Sequence, residues 1–194
     1  MEFQNQQSST SAESRPGGSN EEVHSREVAR MWNLPKLVRE LGTREQCVAF
    51  AEDHGLIKKE KICTYHRVPM RIYYSNNNTV GAFACYKGKC KGKNRVARSI
   101  GTFFENAKIC LPTIFYLVYC YAHKWPMDKV IWEDGTRMDG QCLTPVTITN
   151  WYGYCQEAVE KYQSAEREDQ EVAGNNKKDP FLEVIKAIKY TYKT

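Results

Sequence analysis

Two short clusters of metal-capable side chains lie near the middle of the chain. Cys63-Thr64-Tyr65-His66 is followed, after eighteen residues, by Cys85-Tyr86-Lys87-Gly88-Lys89-Cys90. Together they offer three thiols and one imidazole. Zinc takes four soft or borderline ligands in a tetrahedron, and a site closed by four protein ligands is structural rather than catalytic. Cys63 and His66 can curl around one side of an ion, and Cys85 and Cys90 around the other, provided that the intervening chain doubles back. A lone C-x-x-H arises by chance, and C-x4-C is looser than the usual knuckle, so the intervening residues decide.

Those residues have the pattern of a hairpin. Met70 to Tyr74 is strand-like, Ser75 to Asn78 is a run of turn formers, and Thr79 to Cys85 is apolar enough to return as a second strand. A β-hairpin between two ligand pairs is the architecture of a zinc ribbon, so Cys63, His66, Cys85 and Cys90 are expected to hold one structural Zn2+. The metal would supply folding energy to a segment with little apolar core of its own. Cys47, Cys110, Cys120, Cys142 and Cys155 are scattered singly in helix-like, apolar surroundings, where cysteine usually acts as a small buried hydrophobe. Eight cysteines without a signal peptide argue for a reducing compartment rather than a disulfide framework. His54 and His123 sit near expected helix ends and are read as local capping residues.

Charge is concentrated on the same segment. The chain of 194 residues carries a net +5, yet Lys61 to Phe104 contains no acidic residue and nine basic ones, leaving −4 for the remainder. Six of the nine, Lys87, Lys89, Lys91, Lys93, Arg95 and Arg98, fall within twelve residues. Such crowding costs repulsion that a phosphate backbone relieves by releasing counterions, and these six are the expected phosphate contacts. The bland alternative is a solvated face with no partner. No apolar run approaches the ~20 residues needed to cross a bilayer, so no membrane role is expected.

Five regions follow. Residues 1–22, rich in Gln, Ser, Asn, Gly and Glu, read as a disordered arm. Residues 23–57 hold two supporting helices. The first spans about Glu21 to Leu41, interrupted at Asn33-Leu34-Pro35, with Met31, Leu34, Leu37, Val38 and Leu41 as its apolar side and Gly42 as its stop. The second starts at a Thr43/Gln46 capping box and closes at His54-Gly55. Residues 58–104 form the basic ribbon. Residues 105–163 hold three helices: one after Pro112 with an amphipathic stripe (Ile114, Leu117, Val118, Tyr121), a short one from Pro126 to about Asp134, and a third launched by Thr144 and Pro145. Residues 164–194 read as an acidic linker (Glu166, Glu168, Asp169, Glu171) followed by a short amphipathic helix from Phe181 to Tyr190. The fold class is therefore α+β: a small zinc-ribbon hairpin flanked by helices, then a helix-turn-helix-like three-helix bundle.

In a helix-turn-helix the last helix enters the major groove and its early exposed residues meet base edges. Here those are Thr147, Asn150 and Tyr154, since Ile148, Trp151 and Tyr152 turn to the core. Asn can bond adenine bidentately and Thr can touch a thymine methyl. A plain three-helix bundle with solvated polar residues fits the same pattern, and the loop before the third helix is long for a compact motif.

One known family shares this order of features. A helix, C-x-x-H, a strand ending in Cys, a second Cys and a basic stretch lead into Arg98-Ser99-Ile100-Gly101-Thr102-Phe103-Phe104-Glu105. A helix bearing Tyr116 and Tyr119 and then Thr147-Ile148-Thr149-Asn150-Trp151-Tyr152 follow. From about Thr43 to Val159 the chain resembles the N-terminal region of Merlin-type DNA transposases and their bacterial insertion-sequence relatives. The resemblance implies zinc ligation by Cys63, His66, Cys85 and Cys90, with His66 replacing a more usual cysteine, and binding of transposon-end duplex DNA. Members of that family continue into an RNase H-like domain whose acidic triad holds two divalent metals. Such chemistry needs carboxylates converging on ions ~4 Å apart. The acidic cluster at Glu166 to Glu171 lacks the strand context for that, so a non-catalytic DNA-binding protein is expected.

Two rivals remain. One is a zinc-ribbon adaptor that binds a protein partner, docking through the acidic tail and terminal helix. The other is an enzyme subunit that borrows catalytic carboxylates from another chain. Location follows from DNA binding: the nucleus in a eukaryotic cell, with Lys87 to Arg98 as a weak import signal, and the cytoplasm otherwise.

Overall fold

Asn33 and Thr43 begin the first two helices by capping them. The computed structural model describes residues 31–75, 80–134, 143–169 and 178–192. Of the chain's two units, Met1–Met31 and Trp32–Thr194, the second holds every element below. The arm 1–22, the start of the first expected helix, most of the Ser75–Asn78 turn, the loop with Cys142, and the linker from Glu171 to Lys177 lie outside the described residues.

Helix α1 (Leu34–Leu41) starts where the Asn33 side chain accepts from Lys36 N at 2.9 Å. Its apolar side is narrower than expected. Leu37 and Leu41 are buried, but Val38 is 61% exposed. Gly42 ends α1 with φ −76°, in the right-handed region, so it supplies room rather than handedness. A Cβ there would lie 2.3 Å from the Val38 carbonyl oxygen. Helix α2 (Arg44–Asp53) carries the expected capping box, Gln46 N to Thr43 Oγ1 at 3.3 Å and Thr43 N to Gln46 Oε1 at 3.0 Å. Its C-cap is His54, whose Nδ1 lies 2.9 Å from the Phe50 carbonyl oxygen.

Three antiparallel strands follow in the order β1 (Arg71–Tyr73), β2 (Ala82–Cys85) and β3 (Asn94–Ala97). The register pairs Ile72 with Phe83, and Phe83 with Val96. The first two strands are the expected hairpin, with β1 shorter at both ends and β2 starting later but still ending at Cys85. The third departs from expectation, because Asn94-Arg95-Val96-Ala97 sits inside the basic run and shows almost no apolar alternation. It pairs with β2 nonetheless, and β2 is buried along its whole length.

Helix α3 (Leu111–Ala122) is the centre of the main core. The expected one-sided stripe is too modest. Ile114, Leu117 and Val118 are buried, and so are Phe115, Tyr116 and Tyr119, while Tyr121 is only partly covered. The helix is apolar nearly all round because it packs against α1, α2, α5 and α6. Helix α4 (Met127–Asp134) is short, with Val130 fully buried. Helix α5 (Pro145–Asp169) begins as expected: Thr147 N donates to Thr144 Oγ1 at 3.2 Å. It runs past the expected linker boundary at residue 164, so Glu166, Glu168 and Asp169 belong to a helix.

Helix α6 (Pro180–Thr191) turns its apolar face inward. Its apolar face is not a free docking surface: Phe181, Val184, Ile185, Ala187 and Ile188 are all buried, packed on α5 and α3. Phe181 meets Trp32, Phe50 and Tyr119 in an aromatic cluster. Asp179 caps the helix, accepting from Phe181 N at 2.9 Å and Leu182 N at 3.2 Å, and also accepts from Trp32 N at 2.5 Å. One carboxylate thus ties the two ends of the described chain together. Asp179→Ala is expected to cost about 2 kcal/mol, the sum of a lost cap and a lost charged hydrogen bond. A urea-denaturation midpoint indistinguishable from wild type would contradict this. Among the described residues the fold is α+β, six helices and one small sheet.

Candidate metal centre

The turns that carry the ligands are built by backbone bonds. Cys63 N donates to Val68 O at 2.9 Å and Arg67 N to Cys63 O at 2.8 Å, closing the first turn over His66. In the second, Cys90 N donates to Lys87 O at 3.0 Å and Gly92 N to Cys85 O at 2.7 Å. Gly88 adopts φ 43°, and a Cβ there would fall 2.9 Å from His66 Nε2, so the second turn closes on the imidazole only with glycine.

These turns bring Cys63, His66, Cys85 and Cys90 together, their four ligand atoms all within 4.8 Å of one another. His66 Nδ1 lies 3.4 Å from Cys85 Sγ and 3.8 Å from Cys63 Sγ. A tetrahedron with metal–sulfur bonds of about 2.3 Å and metal–nitrogen bonds of about 2.0 Å has edges of roughly 3.5–3.8 Å. The spacing and the donor set fit an ion. Among the described residues this is the one His/Cys/Asp/Glu group of metal-holding geometry.

The site stabilises thiolate. The Cys63 thiol is held down to about 6, chiefly by the His66 backbone N–H donating to its sulfur. Burial raises Cys90, with the neighbouring Cys85 and Cys63 adding to the effect. Hydrogen bonding thus favours the thiolate at Cys63, whereas burial favours the neutral thiol at Cys90. Asn94, on the unexpected third strand, points Nδ2 at Cys63 Sγ from 3.8 Å. No local signal marks this residue, since its role depends on the pairing of β3. The hydrophobic support is minimal: Cys63, Met70, Phe83 and Cys85 form a cluster apart from the main core.

The cysteines outside this centre behave in two ways. Cys47, Cys120 and Cys155 are buried; burial pushes Cys47 up to about 12 and raises Cys155 as well. Cys110 departs from expectation: it is exposed at the start of α3, with Sγ 2.8 Å from Thr113 Oγ1.

Of the six expected phosphate contacts, Lys87, Lys89, Lys91, Lys93 and Arg95 are exposed. None of the four lysines pairs with a carboxylate among the described residues. Arg95 lies with its guanidinium 4.4 Å from the Tyr73 ring centre. Arg98 is a correction. Its side chain is fully buried, pairs with Glu52, and donates to Lys58 O from Nε at 3.2 Å and Nη2 at 2.8 Å, and to Val80 O from Nη1 at 3.1 Å. It locks the sheet to α2, because a guanidinium satisfies a carboxylate and two carbonyls at once.

The expected base contacts line one groove of about 560 Å³ between the start of α5 and residues 102–109. Asn150 and Tyr154 are exposed, and Tyr154 makes an edge contact with Trp151 at 5.6 Å. Thr147 is half-buried, its hydroxyl 2.9 Å from that of Thr144, so it serves the helix cap. Set against known proteins, the chain matches no family model, no curated protein and no solved structure.

Proposed function

We propose that this chain is a non-catalytic DNA-binding protein whose ribbon is built around one structural zinc and whose exposed lysines grip phosphates. One observation carries the reading. A closed set of three thiols and an imidazole is held by the same short segment that displays Lys87, Lys89, Lys91 and Lys93, four exposed cations that no carboxylate neutralises among the described residues. Four protein ligands leave the ion no open position for a substrate. The resemblance to the end-binding region of Merlin-type transposases points the same way, and nuclear placement in a eukaryotic cell would follow.

Within this reading the lysines position and α5 specifies, through Asn150 and Tyr154, in the manner of a helix-turn-helix. The division predicts two mutant behaviours. Neutralising Lys91 and Lys93 should weaken binding to every duplex and reduce the salt slope by about 0.9 for each phosphate no longer neutralised. Asn150→Ala should relax sequence preference by about 1–3 kcal/mol and spare non-specific binding. Fluorescence-anisotropy titrations across salt concentrations separate them, and an identical loss pattern for both would dissolve the division. Metal content measured on protein purified without added zinc tests the foundation. The adaptor reading is disfavoured because the apolar face of α6 is already covered; passage through a DNA column at moderate salt would revive it.

A further inference from the structure

We propose that the metal end of the ribbon holds an unpaired DNA strand, stacking bases on Tyr65 and Tyr86 while Arg67, Lys87, Lys89 and Lys91 hold its phosphates. The inference rests on the DNA-binding reading above and names the form of DNA this surface takes. Tyr65 is 63% exposed and Tyr86 50% exposed. Each is adjacent in sequence to a ligand, His66 for one and Cys85 for the other, and those ligand atoms lie 3.4 Å apart. The two rings therefore spring from adjoining turns. Both are braced. Tyr65 meets His66 edge-on, with ring centres 4.7 Å apart and planes at 82°. The Tyr86 ring lies so close to Gly92 that a Cβ there would sit 2.9 Å from Cε1. A braced tyrosine gives up little further rotamer freedom when it is covered.

The backbone places two of the cations in the ligand turns. Arg67 and Lys91 each follow the second ligand of their pair, and each adopts a left-handed conformation, φ 51° and 41°. Glycine is the default for such a position, and a long side chain there is strained. Asn106 and Lys124 adopt the same conformation outside the ribbon, φ 58° and 55°, so it marks the tight turns and not by itself a ligand. The Arg67 and Lys91 side chains are exposed, so what they offer is charge rather than packing. No acidic residue occurs between Lys61 and Phe104 to oppose a phosphate chain.

Aromatic rings among cations discriminate between forms of DNA. Bases in a duplex already stack on their neighbours and offer only their edges, whereas unpaired bases offer whole faces to a ring and a backbone to the flanking cations. Exposed tyrosines at the metal turns suit the second.

The test compares a blunt duplex with the same duplex bearing a short oligo-dT overhang, titrated by fluorescence anisotropy at several salt concentrations. The overhang is expected to add on the order of tenfold in affinity. Tyr65→Ala and Tyr86→Ala should each remove most of that increment without changing the salt slope, and Tyr→Phe at both positions should keep it. Arg67→Gly and Lys91→Gly should lower the salt slope of overhang binding by about 0.7 each. Metal content checks that each variant retains the ribbon. Cross-linking of a 5-iodouracil overhang to Tyr65 or Tyr86 in the wild-type chain gives a readout that requires no variant to fold. An overhang that adds nothing, or an increment that survives both alanine variants, would overturn the proposal while leaving blunt-duplex binding, and the broader reading, intact. Failure of the wild-type chain to bind either duplex would remove both.

Discussion

Cys85→Ser is expected to abolish metal binding and unfold the ribbon while leaving the helical core in place. Cys85 is 1% exposed at the end of β2, and its sulfur lies 3.4 Å from His66 Nδ1. Serine removes a thiolate from a four-ligand set and leaves a hydroxyl with no charge to offer the ion. Structural zinc contributes on the order of 10 kcal/mol to small folded units, far beyond what four buried side chains supply. The cluster of Cys63, Met70, Phe83 and Cys85 is small, with only Val68 and Cys90 packed against it, and the Arg98 anchor holds the far end of the sheet rather than the ligand turns. Zinc content, measured by chelator release, should fall from about one per chain to near zero, and salt-dependent DNA binding should fall with it. Cys155→Ser is the control. That thiol is buried in the helical core, so it should cost stability and keep the metal. A Cys85→Ser protein that retained its zinc would show that the other three ligands suffice or that the ion lies elsewhere.

Arg98→Ala should destabilise the chain by about 3 kcal/mol, a fall in Tm of roughly 6–12 °C, without emptying the metal site. Its guanidinium is fully buried, and Glu52, its partner, is 22% exposed in side chain. Removing the cation leaves Glu52 facing a partly buried surface and strips Lys58 O and Val80 O of donors. The carboxylate can rehydrate, which keeps the loss at the lower end of values for buried pairs. Salt dependence makes the prediction specific. Because Arg98 faces inward, its loss should not change the salt slope of DNA binding, whereas loss of Lys91 or Lys93 should change the slope and spare stability. A reduced slope for Arg98→Ala would return it to the phosphate-binding set.

Much of this molecule is legible in the residues alone, because the informative signals are local. The ligand spacing, the Thr43/Gln46 capping box, the Thr144-Pro145 helix start and the hairpin all depend on neighbours within a few positions. What escapes depends on distant partners. Strand β3 has no period of its own and exists because β2 offers an edge. Arg98 reads as one more cation in a basic run, and only the approach of Glu52, 46 residues away, turns it inward. The face of α6 is visibly amphipathic, but nothing local reveals whether such a face meets water, a partner or the chain's own core. Tyr65 and Tyr86 stand in plain view beside the ligands. Their significance comes from exposure, which a sequence does not display.

The carboxylate of Asp179 has a consequence for how the chain is made. The ribbon closes over short separations, and its ligands are all present once residue 90 has left the ribosome. The helical core cannot be completed then, since Phe181 and the tether to Trp32 arrive almost a hundred residues later. Domains fold as units during synthesis, N-terminal parts first. The metal turns can therefore assemble on the nascent chain while α3 and the Trp32–Phe50 aromatic pair still show open apolar surface. On that order, an ion held by the four ligands would be captured early and the core closed last. A chaperone, if one attends this chain, should be needed in the interval between them.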